Sequence, residues 1–153
     1  MKIVLTTMPT EGEFHDWTTH KYFRADKINK FMPLGLLSIV TNLSKGHEVK
    51  ILDLGSDNLS IDEGIQAIEK EKPDILGLSV TDNCCYAMTK ILANTTCEYK
   101  CVGGPHATYH ADTILNKGAD VVFQGALAEK EFNLAIESKP RGRIKCSTKI
   151  NEI

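Results

Sequence analysis

A chain of 153 residues is sized for one domain, which at this length buries roughly 69% of the surface its unfolded form exposes and so needs no disulfide staples. Its 42% apolar, 25% charged and 7% aromatic content excludes the disordered, collagenous and membrane-spanning classes. With 18 basic against 20 acidic residues the formal net charge is −2 and no long run of one sign occurs, so the basic field that a nucleic-acid backbone requires is missing.

The N-terminus reads Met1-Lys2-Ile3-Val4-Leu5 and turns polar at Thr6, far short of a signal-peptide core, so a cytoplasmic, non-membrane location is expected. Lys2 to Thr6 reads as a first strand. A long loop over residues 7–32 follows, with Phe14, Trp17, Tyr22, Phe23 and Phe31 in it. From Pro33 to Lys45, a proline in the first-turn position, apolar Leu36, Leu37, Val40 and Leu43, and Gly46 just beyond predict a first helix. Val49 to Leu52 is the second strand. Ser60-Ile61-Asp62-Glu63 has the spacing of a capping box, and Ile61, Ile65 and Ile68 continue at helical intervals until Lys72-Pro73. Ile75 to Val80 is the third strand, and Met88, Ile91 and Leu92 mark the third helix. Tyr99 to Val102 is the fourth strand, with a helix through Ala111, Ile114 and Leu115 ending at Gly118. Asp120 to Phe123 is the fifth, followed by a helix through Ala128, Phe132, Ala135 and Ile136 and a tail over about 138–153.

Continuous β-branched runs alternating with helical patterns predict one domain over 1–153, an open, doubly wound, mainly parallel five-stranded α/β sheet with helices on both faces. In such sheets ligands sit outside the carboxyl ends of the strands. The informative loops are therefore 7–32, 53–59, 80–84, 103–107 and 124–127.

The first of these is too long to be spacing, and its aromatic residues suit a lid over a flat ligand, a docking face for another domain, or a loop packed on its own core. After the fourth strand, Gly103-Gly104-Pro105-His106-Ala107-Thr108 combines paired glycines with a helix start. Backbone can approach a phosphate closely there, and a tight strand-to-helix turn has the same sequence. Gly125 is a weaker instance.

His106 and His110 are four apart with Asp112 nearby, so both imidazoles can share a helix face and invite a metal. A hydrolytic site needs a further ligand and a base, and His-Glu-x-x-His is absent, so no metal ligands and no catalytic residues are assigned. His15 and His20 read as polar loop residues and His47 as part of a turn. The cysteines, Cys84, Cys85, Cys97, Cys101 and Cys146, are odd in number and fit reduced thiols. Cys97 and Cys101 match the first half of a Cys-x3-Cys-x2-Cys cluster motif, but the third position is Gly104, so no iron–sulfur cluster is expected in this chain. Neither a dinucleotide fingerprint, a P-loop nor a nucleophile elbow occurs, and the sequence favours binding over chemistry by its own side chains.

Four segments in register, Met32-Pro33-Leu34-Gly35-Leu36-Leu37, Gly46-His47-Glu48-Val49 with Asp53, Pro73 to Ser79, and Gly103 to Thr108, make the chain resemble the N-terminal cobalamin-binding domain of B12-dependent radical S-adenosylmethionine enzymes. The resemblance runs from the first strand to about Glu137. It implies a Rossmann-like sheet with a corrin ring across the carboxyl ends of the strands and a nucleotide tail beside the sheet. On that pattern Ser79, Val80, Thr81 and Asp82 lie under the corrin, Gly103, Gly104, Pro105, His106, Ala107 and Thr108 meet the tail, Gly125, Ala126 and Leu127 lie alongside, and Leu34 and Gly35 open the first helix at the same rim.

Three departures qualify the likeness. The family usually continues into a barrel carrying the three-cysteine motif, and its Gly-Glu-Gly-Glu after the fifth strand is here Gly125-Ala126-Leu127-Ala128. The Asp-x-His-x-x-Gly sequence that brings a histidine to cobalt is missing, so a histidine-off cofactor is expected. The leading expectation is a carrier or accessory domain that presents cobalamin for methyl transfer with a radical S-adenosylmethionine or methyltransferase partner. Its rivals are a degenerate relative serving as an interaction module without cofactor, and a metal-dependent enzyme using His106 and His110.

Overall fold

The computed structural model describes residues 1–9 and 32–147 in full, and 13–16 and 21–24 by their backbone. Trp17, His20 and Phe31 lie outside the described residues, as do the side chains of Phe14, His15, Tyr22 and Phe23. Where the sequence predicts only a loop, β2 (Glu13–Asp16) and β3 (Lys21–Arg24) pair antiparallel, with Phe14 opposite Phe23.

The main sheet is built from β1 (Lys2–Thr6), β4 (Glu48–Leu52), β5 (Ile75–Ser79), β6 (Tyr99–Gly103), β7 (Val121–Gln124) and β8 (Gly142–Lys145). All neighbours are parallel, in the order β4-β1-β5-β6-β7-β8. This is the predicted Rossmann-like α/β architecture with six strands in place of five. The sixth, β8, falls in the expected tail. It is an edge strand in which Arg143 and Lys145 face solvent and Ile144 is the one aliphatic residue, so it lacks the apolar run that announces a central strand. The order reverses between β1 and β5, where consecutive crossovers leave in opposite directions.

Local chemistry sets the helices: α1 (Leu34–Asn42), α2 (Ile61–Glu71), α3 (Cys85–Asn94), α4 (Pro105–Asn116) and α5 (Glu129–Ser138). The capping box of α2 is complete, with Glu63 N donating to Ser60 Oγ at 3.1 Å and Ser60 N donating to Glu63 Oε2 at 2.7 Å. The helix ends in a left-handed Lys72 before Pro73. The first helix is shorter than the predicted 33–45 span, because Pro33 caps it and Leu43 is already extended. Pro105 occupies the first turn of α4, where its missing N–H costs nothing.

One core joins α2, α3 and α4 to one face of the sheet through Val4, Leu76, Leu78, Val80, Val102 and Val122 against Ile68, Met88, Ile91 and Ile114. The other joins α1 and α5 to the opposite face through Ile3, Leu5, Ile75, Tyr99, Val121 and Phe123 against Leu36, Phe132, Ala135 and Ile136. Among the described residues no helix is long and apolar enough to cross a membrane.

Candidate functional site

Side-chain size along the α1/α5 face changes from one end of the strands to the other. Ile3, Ile75, Tyr99 and Val121 fill the amino-terminal half. Two residues further on, the same face presents Gly77 and Cys101, and two beyond those Ser79 and Gly103, which are paired across β5 and β6. The missing volume leaves a cleft of about 540 Å³ between the sheet and helices α1 and α5, reaching the carboxyl ends of the strands. Its walls come from Leu5, Leu36, Ile39, Phe123 and Phe132, and polar groups are confined largely to Ser79, Thr108 and Glu129.

Gly77 and Gly103 contribute differently. A Cβ on Gly77 would stand 2.5 Å from Leu5 Cδ2, so the glycine lets Leu5 lie over the strand. A Cβ on Gly103 would meet nothing nearer than Phe123 Cβ at 3.9 Å, so Gly103 is open floor. Gly104 is demanded by the turn itself. Its φ is +102°, and a Cβ there would lie 2.7 Å from Val80 O and 2.9 Å from Val80 N. The same approach aligns two backbone bonds, Val80 N donating to Gly103 O at 2.9 Å and His106 N donating to Val80 O at 3.1 Å. The paired glycines thus both close a tight turn and leave room for a ligand.

Thr108 ties this turn to the loop after β7. Its hydroxyl donates to Gly104 O at 3.3 Å and accepts from Gly125 N at 3.2 Å, and Gln124 Nε2 donates to Thr108 O at 3.0 Å. Gly125, at φ +124°, runs against the Cys146 carbonyl. On the other wall Ser38 Oγ donates to Glu129 Oε1 at 2.6 Å, linking α1 to α5. His47 Nε2, in the turn before β4, lies 3.2 Å from Glu137 Oε1 of α5.

Of the residues singled out in the sequence, Gly35, Ser79, Gly103, Gly104, Pro105, Thr108, Gly125 and Ala126 line the cleft. Leu34 stands exposed beside Gly35, and Leu127 forms a bridge to Ser147. Val80 and Ala107 are fully buried in the opposite core. Thr81, Asp82 and His106 belong to a polar group where β5 and β6 end. Sequence reasoning passed over Gly77, Cys101, Phe123 and Phe132, although a glycine inside an aliphatic strand was a readable sign of close approach.

In the polar group, His106 Nδ1 donates to Asp82 Oδ1 at 2.6 Å, and the His106 and His110 rings stack at 4.5 Å between centroids. Asp112, the carboxylate nearest in sequence, pairs instead with Arg143 at 3.5 Å. All five cysteines are free. Burial pushes the Cys84, Cys97 and Cys101 thiols up, and raises Cys146 to about 11 with help from Glu131 and Glu129. Those four are protonated at neutral pH and poor nucleophiles.

Comparison with known proteins gives the family. Residues 28–132, more than half of the chain, match the B12 binding domain family. An uncharacterized methyltransferase of Pyrococcus horikoshii is 28% identical over 117 residues, a match that takes in 72% of this chain and 25% of the relative, so the chain spans about a quarter of that protein's length. No solved structure matches. An α/β sheet hollowed by small residues at its carboxyl ends and a family match across the same elements lead to one conclusion: the chain belongs to the B12-binding domain family, whose ligand is cobalamin.

Proposed function

We propose that this domain holds cobalamin with its nucleotide tail in the α1/α5 cleft, as a carrier or accessory domain for methyl transfer. The observation that carries the reading is the run of small residues along β6, Cys101 and Gly103, with Gly103 as open floor, which leaves an apolar cleft at the carboxyl end of the sheet. The lining fits such a tail: Ser79 offers a hydroxyl, Thr108, whose hydrogen goes to Gly104 O, can still accept, and Leu36, Phe123 and Phe132 give an apolar wall. When bound, cobalamin supplies the organometallic chemistry of the methyl group, and the protein's part is to bind and orient it. Methyl transfer is further supported by the description of the Pyrococcus relative as a methyltransferase.

The four-segment resemblance supports a radical S-adenosylmethionine partner, or a further domain of that kind, as the methyl-transfer machinery. Gly104 bears on where its cluster is held. A side chain at φ +102° and 2.7 Å from a backbone oxygen does not fit, which supports a cluster held by the partner and not by this chain. The absence of Asp-x-His-x-x-Gly supports a histidine-off cofactor, and five free cysteines suit a reducing cytoplasmic setting.

A second reading, an interaction module without cofactor, is favoured by the exposed apolar residues around the cleft's helices, Met32 at 69%, Leu34 at 66% and Tyr109 at 82%. Incubating the purified chain with hydroxocobalamin, followed by gel filtration, separates the two. Comigrating colour with a histidine-off spectrum is expected. A colourless protein peak at saturating cofactor would reject the carrier and leave the interaction module.

A further inference from the structure

We propose that Asp82, His106 and His110 form a binding site for a divalent transition-metal ion at the carboxyl ends of β5 and β6, outside the lining of the α1/α5 cleft. One ligand atom from each residue lies within 4.8 Å of the other two. The residues come from two elements locked together by the Val80 turn: Asp82 opens the short 3-10 turn after β5, and His106 and His110 occupy successive turns of α4. Val80 N and O are both bonded across this junction, so the carboxylate and the first imidazole are brought together by backbone structure and not by their own attraction alone.

The distances describe a site one proton away from being metallated. His106 Nδ1 and Asp82 Oδ1 are 2.6 Å apart with a proton between them. Two ligands on a tetrahedral ion with bonds of about 2.0–2.1 Å stand about 3.3 Å from each other. An ion replacing that proton, which passes to the buffer, therefore needs the pair to open by well under 1 Å. His110 completes the set. It sits at a kink in α4 (φ −124°, ψ 30°), with its exposed ring stacked on His106 and a nitrogen within 4.8 Å of the other two ligand atoms.

The chemistry of the donors selects the ion. Two imidazole nitrogens with a single carboxylate suit Zn²⁺, Co²⁺ or Ni²⁺ and discriminate against Mg²⁺ and Ca²⁺, which require oxygen ligands. Asp82 and His110 are exposed, so the remaining coordination positions open to water. Neither residue fills a core, and the contact each makes at this corner is with His106.

Titration of the full chain with Co²⁺, followed by visible absorption, tests the site. One equivalent is expected, with ligand-field bands and without the near-ultraviolet charge-transfer bands of a cobalt thiolate. His110→Ala and Asp82→Asn should each weaken binding by on the order of 100-fold, the upper end of what loss of a metal-site partner produces. Their far-ultraviolet spectra and thermal melts should be those of the parent, since both side chains are exposed. Co²⁺ binding that is unchanged in both variants, that shows thiolate bands, or that never saturates would overturn the proposal. The inference does not rest on the cobalamin reading. A parent that binds Co²⁺ through His110 but not hydroxocobalamin keeps this site and loses the carrier, while hydroxocobalamin binding with no Co²⁺ site does the reverse.

Discussion

The two faces of the sheet differ in one respect that organises the molecule. Opposite α2, α3 and α4, the strands present Val4, Leu76, Leu78, Val80, Val102 and Val122, large aliphatic residues along their length, all buried. Opposite α1 and α5, side-chain size falls from Tyr99 to Cys101 to Gly103 along a single strand, and the core gives way to a cleft. One face holds the fold together and the other forgoes packing to make space. Because side chains alternate along a strand, β6 does both at once, with no change of backbone.

The sharpest way to break this comparison is to cut the filled face. Ile91→Ala, fully buried against that core, should cost about 2–5 kcal/mol in urea unfolding, because it removes buried aliphatic groups and leaves a cavity. A loss below about 1 kcal/mol would mean this face is not the packed one. Next in size is Gly104→Ala, which forces a Cβ against Val80 O at a φ reserved for glycine and should cost about 1–3 kcal/mol. Its effect on cobalamin binding should vanish once the folded fraction is corrected for. Gly103→Val sharpens the contrast: its first carbon has room and strands favour β-branched residues, so the melting temperature should hold while hydroxocobalamin affinity falls about tenfold, equivalent to about 1.4 kcal/mol. Equal effects of the two glycine substitutions on stability would erase the distinction drawn between them.

A smaller effect belongs to the base of the filled face, where Glu71 of α2 meets Lys50 and Lys2. The hydrogen bond from Lys50, then that from Lys2, lower its pKa from the usual 4.5 to about 2. Since the folded value lies below the unfolded one, this contribution is complete above about pH 4.5 and is lost as pH falls toward 2. Glu71→Gln should flatten that part of the acid-unfolding curve. An unchanged curve would assign the acid sensitivity to other carboxyls.

What was legible in the sequence follows from the same physics. The four inner strands announced themselves because burial on both faces requires continuous apolar runs, the edge strand β4 because Val49, Ile51 and Leu52 still mark it, and α2 because its capping box is local chemistry. The strand β8 was hidden, since an edge needs only one inward aliphatic residue, and β2 and β3 were hidden among aromatics that suited several readings. At the site, the glycine pair was visible but its division of labour was not: Gly104 answers to Val80, 24 positions earlier, and only the fold brings them together. For the same reason Asp112 looked like the partner of His106 and His110, whereas Asp82 takes that place across the sheet. Cleft walls such as Phe123 and Phe132 read as ordinary core, because nothing in sequence spacing reveals that the residue opposite is missing.

The parallel sheet is open at both sides, and its outermost strands have unpaired backbone along one margin among the described residues. Such margins can template strand-by-strand growth into aggregates. Here Glu48 and Lys50 on β4, and Arg143 and Lys145 on β8, project as exposed charges at every second position. Another copy adding to either margin would have to crowd or desolvate these groups, and each strand is only four or five residues long. The cleft at one end of the sheet thus lies between two margins whose charges oppose strand-by-strand growth.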